Sequence, residues 1–236
     1  MPNKIDLPGC ESCPSRHESI FRDLSDQALN ALETGKGCRF YKKGQFIFLE
    51  GNHPHALFCL HKGKVKVFKT AENGREQIVR LAAPGDILGY RSLISGQPYR
   101  ASAAALEDSL ICSIPKDTIF QMIEKNTELA MRLMQYVCTE LGAAEARMMS
   151  MAQKPVRERL AEVLLLLKEK FGLNEDGQTL DVELTREDLA DIVGTATETV
   201  IRLLSELKNE GLVNLKGRRI QLVDTPGLIR VANLYD

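Results

Sequence analysis

Thr185-Arg186-Glu187-Asp188-Leu189-Ala190-Asp191-Ile192-Val193-Gly194-Thr195-Ala196-Thr197-Glu198-Thr199-Val200-Ile201-Arg202-Leu203-Leu204 is the stretch on which the reading of this 236-residue chain turns. A hydroxyl at Thr185 followed three residues later by Asp188 is a near capping box, so a helix is expected over Arg186–Val193. Gly194 stops it, and a second helix is expected from Thr197 to about Glu210, closed by Gly211. Leu189, Ala190, Val193, Val200, Leu203 and Leu204 supply an apolar inner face. Ala190 is small where two helices must cross closely, and Gly194 stands where the turn favours a left-handed residue. The pattern is a helix-turn-helix. Beyond it, 212–215 and 219–223 read as a two-stranded wing around Lys216-Gly217-Arg218, and Lys216 and Arg218 can reach phosphate.

The outward face of the second helix displays Thr195, Thr197, Glu198, Ile201 and Arg202. An arginine in a major groove bonds guanine O6 and N7 together, and a glutamate accepts from cytosine N4. Glu198 and Arg202 are also four apart, the spacing of an ordinary surface ion pair. At the N-terminal end of a helix so placed, base readout is the expectation.

Upstream, Pro155 and Gly172 bracket a helix over Val156–Phe171, and the polar stretch 174–179 leads to a short strand expected near 180–184. Between residues 40 and 114 the texture changes. Short strands are expected at 40–41, 45–49, 56–61, 64–69, 77–81, 101–106 and 110–114, punctuated by glycines at 51, 63, 74, 85 and 96. Such regular spacing indicates an antiparallel sandwich or barrel. Lys64 to Lys69 alternates polar and apolar until Phe68 breaks the period, which puts one face in water and one in a core.

After Pro115 the chain reads as helical to about Met151. Ala130, Met134, Val137, Leu141, Ala144, Met148 and Met151 follow in steps of four and three, the heptad seam of a two-helix coiled coil. A helix packed on its own domain would carry a similar stripe. Alanine and methionine allow close, adjustable packing. The expected fold is therefore α+β: an N-terminal tail and antiparallel, jelly-roll-like β-roll over 1–116, a dimerisation helix over 117–151 and a C-terminal winged helix-turn-helix over 152–236.

Composition sets outer bounds. With 44% hydrophobic and 27% charged residues the chain is an ordinary globular one, which excludes collagen-like, disordered and rod classes. No apolar run approaches the roughly 20 residues a membrane span needs. Residues 1–8 carry charge and two prolines in place of an apolar signal-peptide core, so a cytoplasmic location without a membrane partner is expected. Net charge is −1, and from Lys154 onward 12 Lys+Arg face 15 Asp+Glu, so any basic footprint must be local. No paired nucleophile and base, HExxH or phosphate-cradling glycine loop supports an enzyme. A ligand-binding module acting on a protein partner is the other class in view, against which the intact Glu198, Arg202 and basic wing argue.

Gly85-Asp86-Ile87-Leu88-Gly89, Arg100, Leu106-Glu107-Asp108-Ser109-Leu110-Ile111-Cys112-Ser113-Ile114-Pro115 and Thr197-Glu198-Thr199-Val200-Ile201-Arg202-Leu203-Leu204 together resemble the CRP/FNR family of bacterial transcription regulators, over nearly the whole chain. The resemblance implies a homodimer on a palindromic double-stranded DNA site, working with RNA polymerase. It implies that Glu198 and Arg202 read a G·C pair in each half-site and that Arg186 and Thr199 hold phosphates. Ile201 stands where the oxygen-sensing branch has serine and the cyclic-AMP branch glycine, so the resemblance does not assign the half-site of either branch, and Ile201 allows an apolar contact to a thymine methyl.

The signal is less legible. By the resemblance an effector pocket would involve Gly89, Tyr90, Arg91, Arg100 and Ala101. Cyclic-AMP members need a glutamate where this chain has Tyr90 and a hydroxyl where it has Ala101, and each lost charged hydrogen bond is worth roughly 1.5–3 kcal/mol, so cyclic AMP is not expected. Six cysteines in such a protein suggest thiols or metal ligands rather than disulfides. Cys10, Cys13 and Cys112 match three of the four ligands of the iron–sulfur branch, whose remaining cysteine is replaced here by Ser19 or Phe21. His17 is near in sequence and Cys38 could be near in space. Haem is a further possibility through His53, His55 and His61, although His53-Pro54-His55 reads as an exposed turn. The cofactor is left open among an iron–sulfur cluster, haem, a small organic ligand and none.

Overall fold

The structure, a computed structural model, describes residues 9–234; the expectation of no signal peptide falls on 1–8, outside the described residues. These residues form two compact units, one reaching to Lys69 and including Arg80–Leu141, the other comprising Thr70–Val79 and everything from Gly142 onward.

The first unit opens with α1 (Pro14–His17) and α2 (Asp26–Gly35) and continues through β1 (Gly37–Tyr41), β2 (Phe46–Phe48), β3 (Ala56–Lys62), β4 (Val65–Thr70), the end of β5 (Glu76–Ala82), whose residues 76–79 group with the second unit, β6 (Ile87–Leu88), α3 (Tyr90–Ser95), β7 (Ser102–Ala105) and β8 (Ser109–Pro115). The strands make two four-stranded sheets, ordered β1-β8-β3-β6 and β2-β7-β4-β5. Each of the seven expected strands coincides with an observed one. Sequence periodicity misses β6 and α3 because they are too short to show a period, and α2 because only Leu32 on it is fully buried.

Period-two alternation makes β3 a strand with two buried faces. Phe58 and Leu60 point into the core between the sheets with Ile47, Val65, Leu88, Tyr99 and Ile111. Leu57 points the opposite way, into a second core with Phe21, Ile87, Tyr90, Ile114, Ile119, Leu129 and Leu133. Gly63 turns β3 into β4 at φ +99, and a Cβ there would lie 2.7 Å from the Ser109 backbone, so only glycine fits.

The helical run after Pro115 is two helices, α4 (Lys116–Lys125) and α5 (Thr127–Gln153), not one. Asn126 breaks it: its backbone is extended, and its side-chain oxygen accepts from Leu129 N at 3.0 Å, capping α5. Leu129 and Leu133 face the first unit's core. Of the expected seam, Ala130 is half-buried, while Met134, Val137, Leu141 and Met148 are among the exposed large apolar residues and Ala144 is exposed too.

Between α5 and the sheets of the first unit lies a buried arginine. Arg80 approaches Glu140 at 2.5 Å and Asp86 at 3.5 Å, donates to the Ile87 carbonyl at 2.9 Å and bonds the Tyr136 hydroxyl. Tyr136 in turn donates to Asp86 at 3.1 Å, and the guanidinium lies over the Tyr90 and Tyr136 rings. Burial alone would lower the Arg80 pKa, but Tyr136, Glu140 and Asp86 outweigh it and hold the charge more firmly than in water.

The second unit holds α6 (Val156–Phe171), α7 (Arg186–Val193), α8 (Thr197–Asn209), β9 (Val213–Lys216), β10 (Arg219–Leu222) and α9 (Thr225–Ala232). Leu160, Leu164, Leu167, Leu189, Val200, Leu204, Leu207 and Leu228 are its fully buried centre. The strand expected at 180–184 does not form. Leu180 and Thr179 make only single bridges, to Leu173 and Gln221, because Asp176 folds the preceding residues into a turn by accepting from Gln178 N, Thr179 N and Thr179 Oγ1.

Replacing Arg80 by methionine leaves Asp86 and Glu140 without their cation. A loss of about 3–5 kcal/mol is expected, read as a lower urea midpoint than in wild type. Tyr99 gives a second test. Burial pushes its phenol up to about 12 from 10.0. A raised folded pKa on an acid means stability complete below pH 10 and lost as pH climbs toward 12. Tyr99→Phe is expected to flatten the decline of the denaturation midpoint over that window.

Candidate nucleic-acid interface and cysteine cavity

The helix-turn-helix forms as its sequence dictates. Thr185 and Asp188 complete a capping box at the start of α7, and Gly194 ends it in the left-handed region at φ 72. Leu189, Ala190, Val193, Val200, Leu203 and Leu204 are buried. Glu198, Ile201 and Arg202 are exposed along α8, with Thr195, Thr197 and Thr199 half-buried at its start. Arg202 pairs with Glu206 at 2.5 Å, not with Glu198, which leaves Glu198 out of the ion pair its spacing offered. The wing pairs Lys216 with Arg219 across its turn, and Lys216 and Arg218 are exposed. Arg186 donates to the Gly217 carbonyl at 2.9 Å, tying the start of α7 to the wing tip. Its other terminal nitrogen is buried without a hydrogen-bond partner, and burial lowers its pKa.

The expected effector residues differ in burial. Tyr90 is buried against Tyr136, ring centroids 5.4 Å apart, in the core toward the helices. In this structure the Tyr90 ring thus belongs to that core. Gly89 caps α3, and a Cβ there would meet the Tyr99 and Phe58 rings at 3.3 and 3.4 Å. Phe48 stacks on Tyr99 at 4.1 Å. Arg91 and Arg100 are exposed and Ala101 half-buried.

The cysteines converge. Cys38 and Cys112, directly paired on β1 and β8, form a disulfide. This corrects the expectation that all six are thiols or ligands: with both sulfurs on one face of adjacent strands, Cys112 is not a free ligand while that bond stands. Cys10, Cys13, Cys59 and Cys138 are free. A cavity of about 50 Å³ is lined by Cys10, Cys13, Cys59 and Cys112, with His61, Lys36 and Ser15 on its wall. Cys13 Sγ lies 3.1 Å from His61 Nδ1, and Lys36 Nζ donates to Cys10 Sγ at 3.1 Å. Burial pushes the Cys10 thiol up, partly countered by Lys36, pushes Cys59 up strongly and pulls His61 down. Sequence reading misses Cys59 because no spacing rule links a mid-strand cysteine to a distant Cys-x-x-Cys. His53 and His55 are exposed, as expected of a turn.

A β-roll, a long helix and a winged helix-turn-helix with an exposed reading face define a DNA-binding transcription regulator. Residues 38–126 match the model of the cyclic nucleotide-binding domain, and residues 158–231 match the Crp-like helix-turn-helix domain. The transcriptional activator protein FnrL of Cereibacter sphaeroides is 31% identical, over 92% of this chain and 88% of that protein. A CRP-like cAMP-activated global transcriptional regulator of Mycobacterium tuberculosis is 27% identical over 90% and 96%. The structure of FixK2 from Bradyrhizobium japonicum superposes with a TM-score of 0.76 at 27% identity, covering 83% of this chain and 96% of that one. The chain belongs to the CRP/FNR family of transcription regulators, which is not a family of enzymes. No described helix is long and apolar enough to cross a membrane.

Proposed function

We propose that the protein is a homodimeric, sequence-specific DNA-binding regulator whose DNA binding is set by a signal read in the β-roll unit. The observation that carries this is the outward row Glu198, Ile201 and Arg202 on α8 beside the exposed basic residues Lys216 and Arg218 of the wing. Glu198 and Arg202 read base edges in the major groove, Ile201 meets an apolar group such as a thymine methyl, and Arg186, Thr195, Thr197, Thr199, Lys216 and Arg218 hold the backbone. The exposed stripe Met134, Val137, Leu141 and Met148, with Ala130 and Ala144 between, packs against its copy. Two-fold symmetry then sets palindromic half-sites about one helical turn apart. The regulator acts in the cytoplasm with RNA polymerase, as its relatives' description as transcriptional activators supports.

For the signal, the cysteine cavity favours an iron–sulfur group over haem or a small organic ligand. Four cysteines line one cavity, the number of thiolates such a cluster takes, whereas two of the three β-roll histidines considered for haem are exposed. Cys112 becomes available as a donor only once it is released from Cys38. When bound, the cluster supplies redox chemistry. The chain's own part is to seat Cys10 by its backbone bond to Glu33 and to hold the α1 segment on β3 through Ser15, which donates to the His61 carbonyl at 2.6 Å.

Binding-site selection followed by titration tests the reading. Arg202→Ala is expected to cost about 1–3 kcal/mol on the selected site and to relax preference at one base position per half-site. Lys216→Ala and Arg218→Ala should weaken all sequences alike and lower the salt slope by about 1 each. Variants of Glu198 and Arg202 that keep the full sequence preference would sink the proposal. Leu141→Glu combined with Met134→Glu is expected to sediment as a monomer and lose tight DNA binding.

A further inference from the structure

The sheet register lines up three cysteines. Cys38 on β1 faces Cys112 on β8, and Cys112 faces Cys59 on β3. Directly paired residues of antiparallel strands project from the same face. Parity along the strands says which face. Phe58 and Leu60 go to the core between the sheets, so Cys59 and His61 go to the other side, with Leu57. Ile111 goes between the sheets, so Cys112 goes with Ile114. The segment carrying Cys10 and Cys13 lies over that same side, where Cys13 meets His61.

We propose that Cys59 is the fourth ligand of an iron–sulfur site otherwise made by Cys10, Cys13 and Cys112, and that Cys38 is the competing partner of Cys112, so that disulfide and loaded site exclude each other. This rests on the reading that the signal is taken at the cysteines. The positions that the resemblance reserves for a third N-terminal ligand are occupied otherwise. Ser19 is buried and donates to the Arg16 carbonyl at 2.8 Å, and Phe21 is packed in the core. Cys59 enters the same cavity from the sheet instead. Cys138, the remaining free cysteine, is exposed on α5. Among the described residues no group of three or more His, Cys, Asp or Glu is placed to hold a metal ion while the Cys38–Cys112 bond is closed.

The disulfide makes the site conditional. Reduction by a dithiol delivers two electrons and two protons to the Cys38–Cys112 bond, the S–S bond breaks, two thiols form and the reductant closes to its own cyclic disulfide. Cys112 then loses its proton to become a ligand. Reoxidation of Cys38 and Cys112 by a disulfide of higher potential reverses this and removes one of the four ligands.

The test uses the full-length chain handled without oxygen. Wild type, Cys59→Ser, Cys59→Ala, Cys38→Ser and Cys138→Ser are each incubated with equal parts of ferrous and ferric iron and with sulfide, with and without prior dithiothreitol. Protein-bound iron, sulfide and the absorption band near 400 nm are read, and circular dichroism checks folding. Denatured wild type is expected to show four free thiols before reduction, as the free cysteines require. Wild type should load only after reduction, to about four irons per chain. Cys38→Ser should load without reduction, Cys138→Ser should follow wild type, and both folded Cys59 variants should lose the band. Cys59 variants that load like wild type overturn the inference, all the more so if Cys38→Ser fails to load, which would make Cys38 the ligand. A reduced wild type that takes up no iron overturns the iron–sulfur reading itself, and this proposal with it. If neither Cys59 variant folds, a wild type that loads equally with its disulfide intact still overturns the exclusion.

Discussion

A single guanidinium in the interior of the first unit ties β5, the turn before β6 and α5 together. Arg80 is inserted where β5, the turn before β6 and the first half of α5 meet, and it is surrounded by Glu140, Asp86, Tyr136 and a backbone carbonyl. A buried cation is tolerated only when its partners are held in place. Asp86 is positioned by its own bond to Ala83 N at 2.7 Å and by Tyr136, so the glycine-flanked turn and the helix are fixed relative to each other through one charge. The surrounding apolar packing would tolerate sliding; the charge does not. Change at the turn before β6 therefore bears directly on the residues of α5 that hold Arg80.

The same helix has two masters. Leu129, Leu133 and Tyr136 belong to its own unit's core, and the opposite stripe of Met134, Val137 and Leu141 stays open to water. That exposed apolar stripe is where the proposed second copy would pack.

Chemistry at the cysteines follows from strand parity. Three strands place Cys38, Cys112 and Cys59 in a row, and the N-terminal segment closes over them. Cys112 is central in that row and has a neighbour on either side. A residue with two neighbours of the same chemistry can be switched between them by the redox state of its surroundings, and the fold needs no hinge for it.

The helix-turn-helix was legible in the sequence nearly residue for residue, because its signals are local: a capping box, a glycine at a left-handed turn, and an apolar period completed within a few helical turns. The seven strands were legible for the same reason, through alternation and glycine punctuation. The family likeness added, as expectations, the G·C pair for Glu198 and Arg202 and the phosphate roles of Arg186 and Thr199. The break at Asn126, the missing strand at 180–184, the direction of Tyr90, the partner of Arg202 and the Cys38–Cys112 bond were decided only in three dimensions. Each depends on which of several chemically adequate neighbours comes within bonding distance. Sequence spacing fixes neighbours along a strand or helix, whereas Arg80, Cys59 and Cys112 acquire theirs across strands and from segments tens of residues away, where register and parity alone choose the partner.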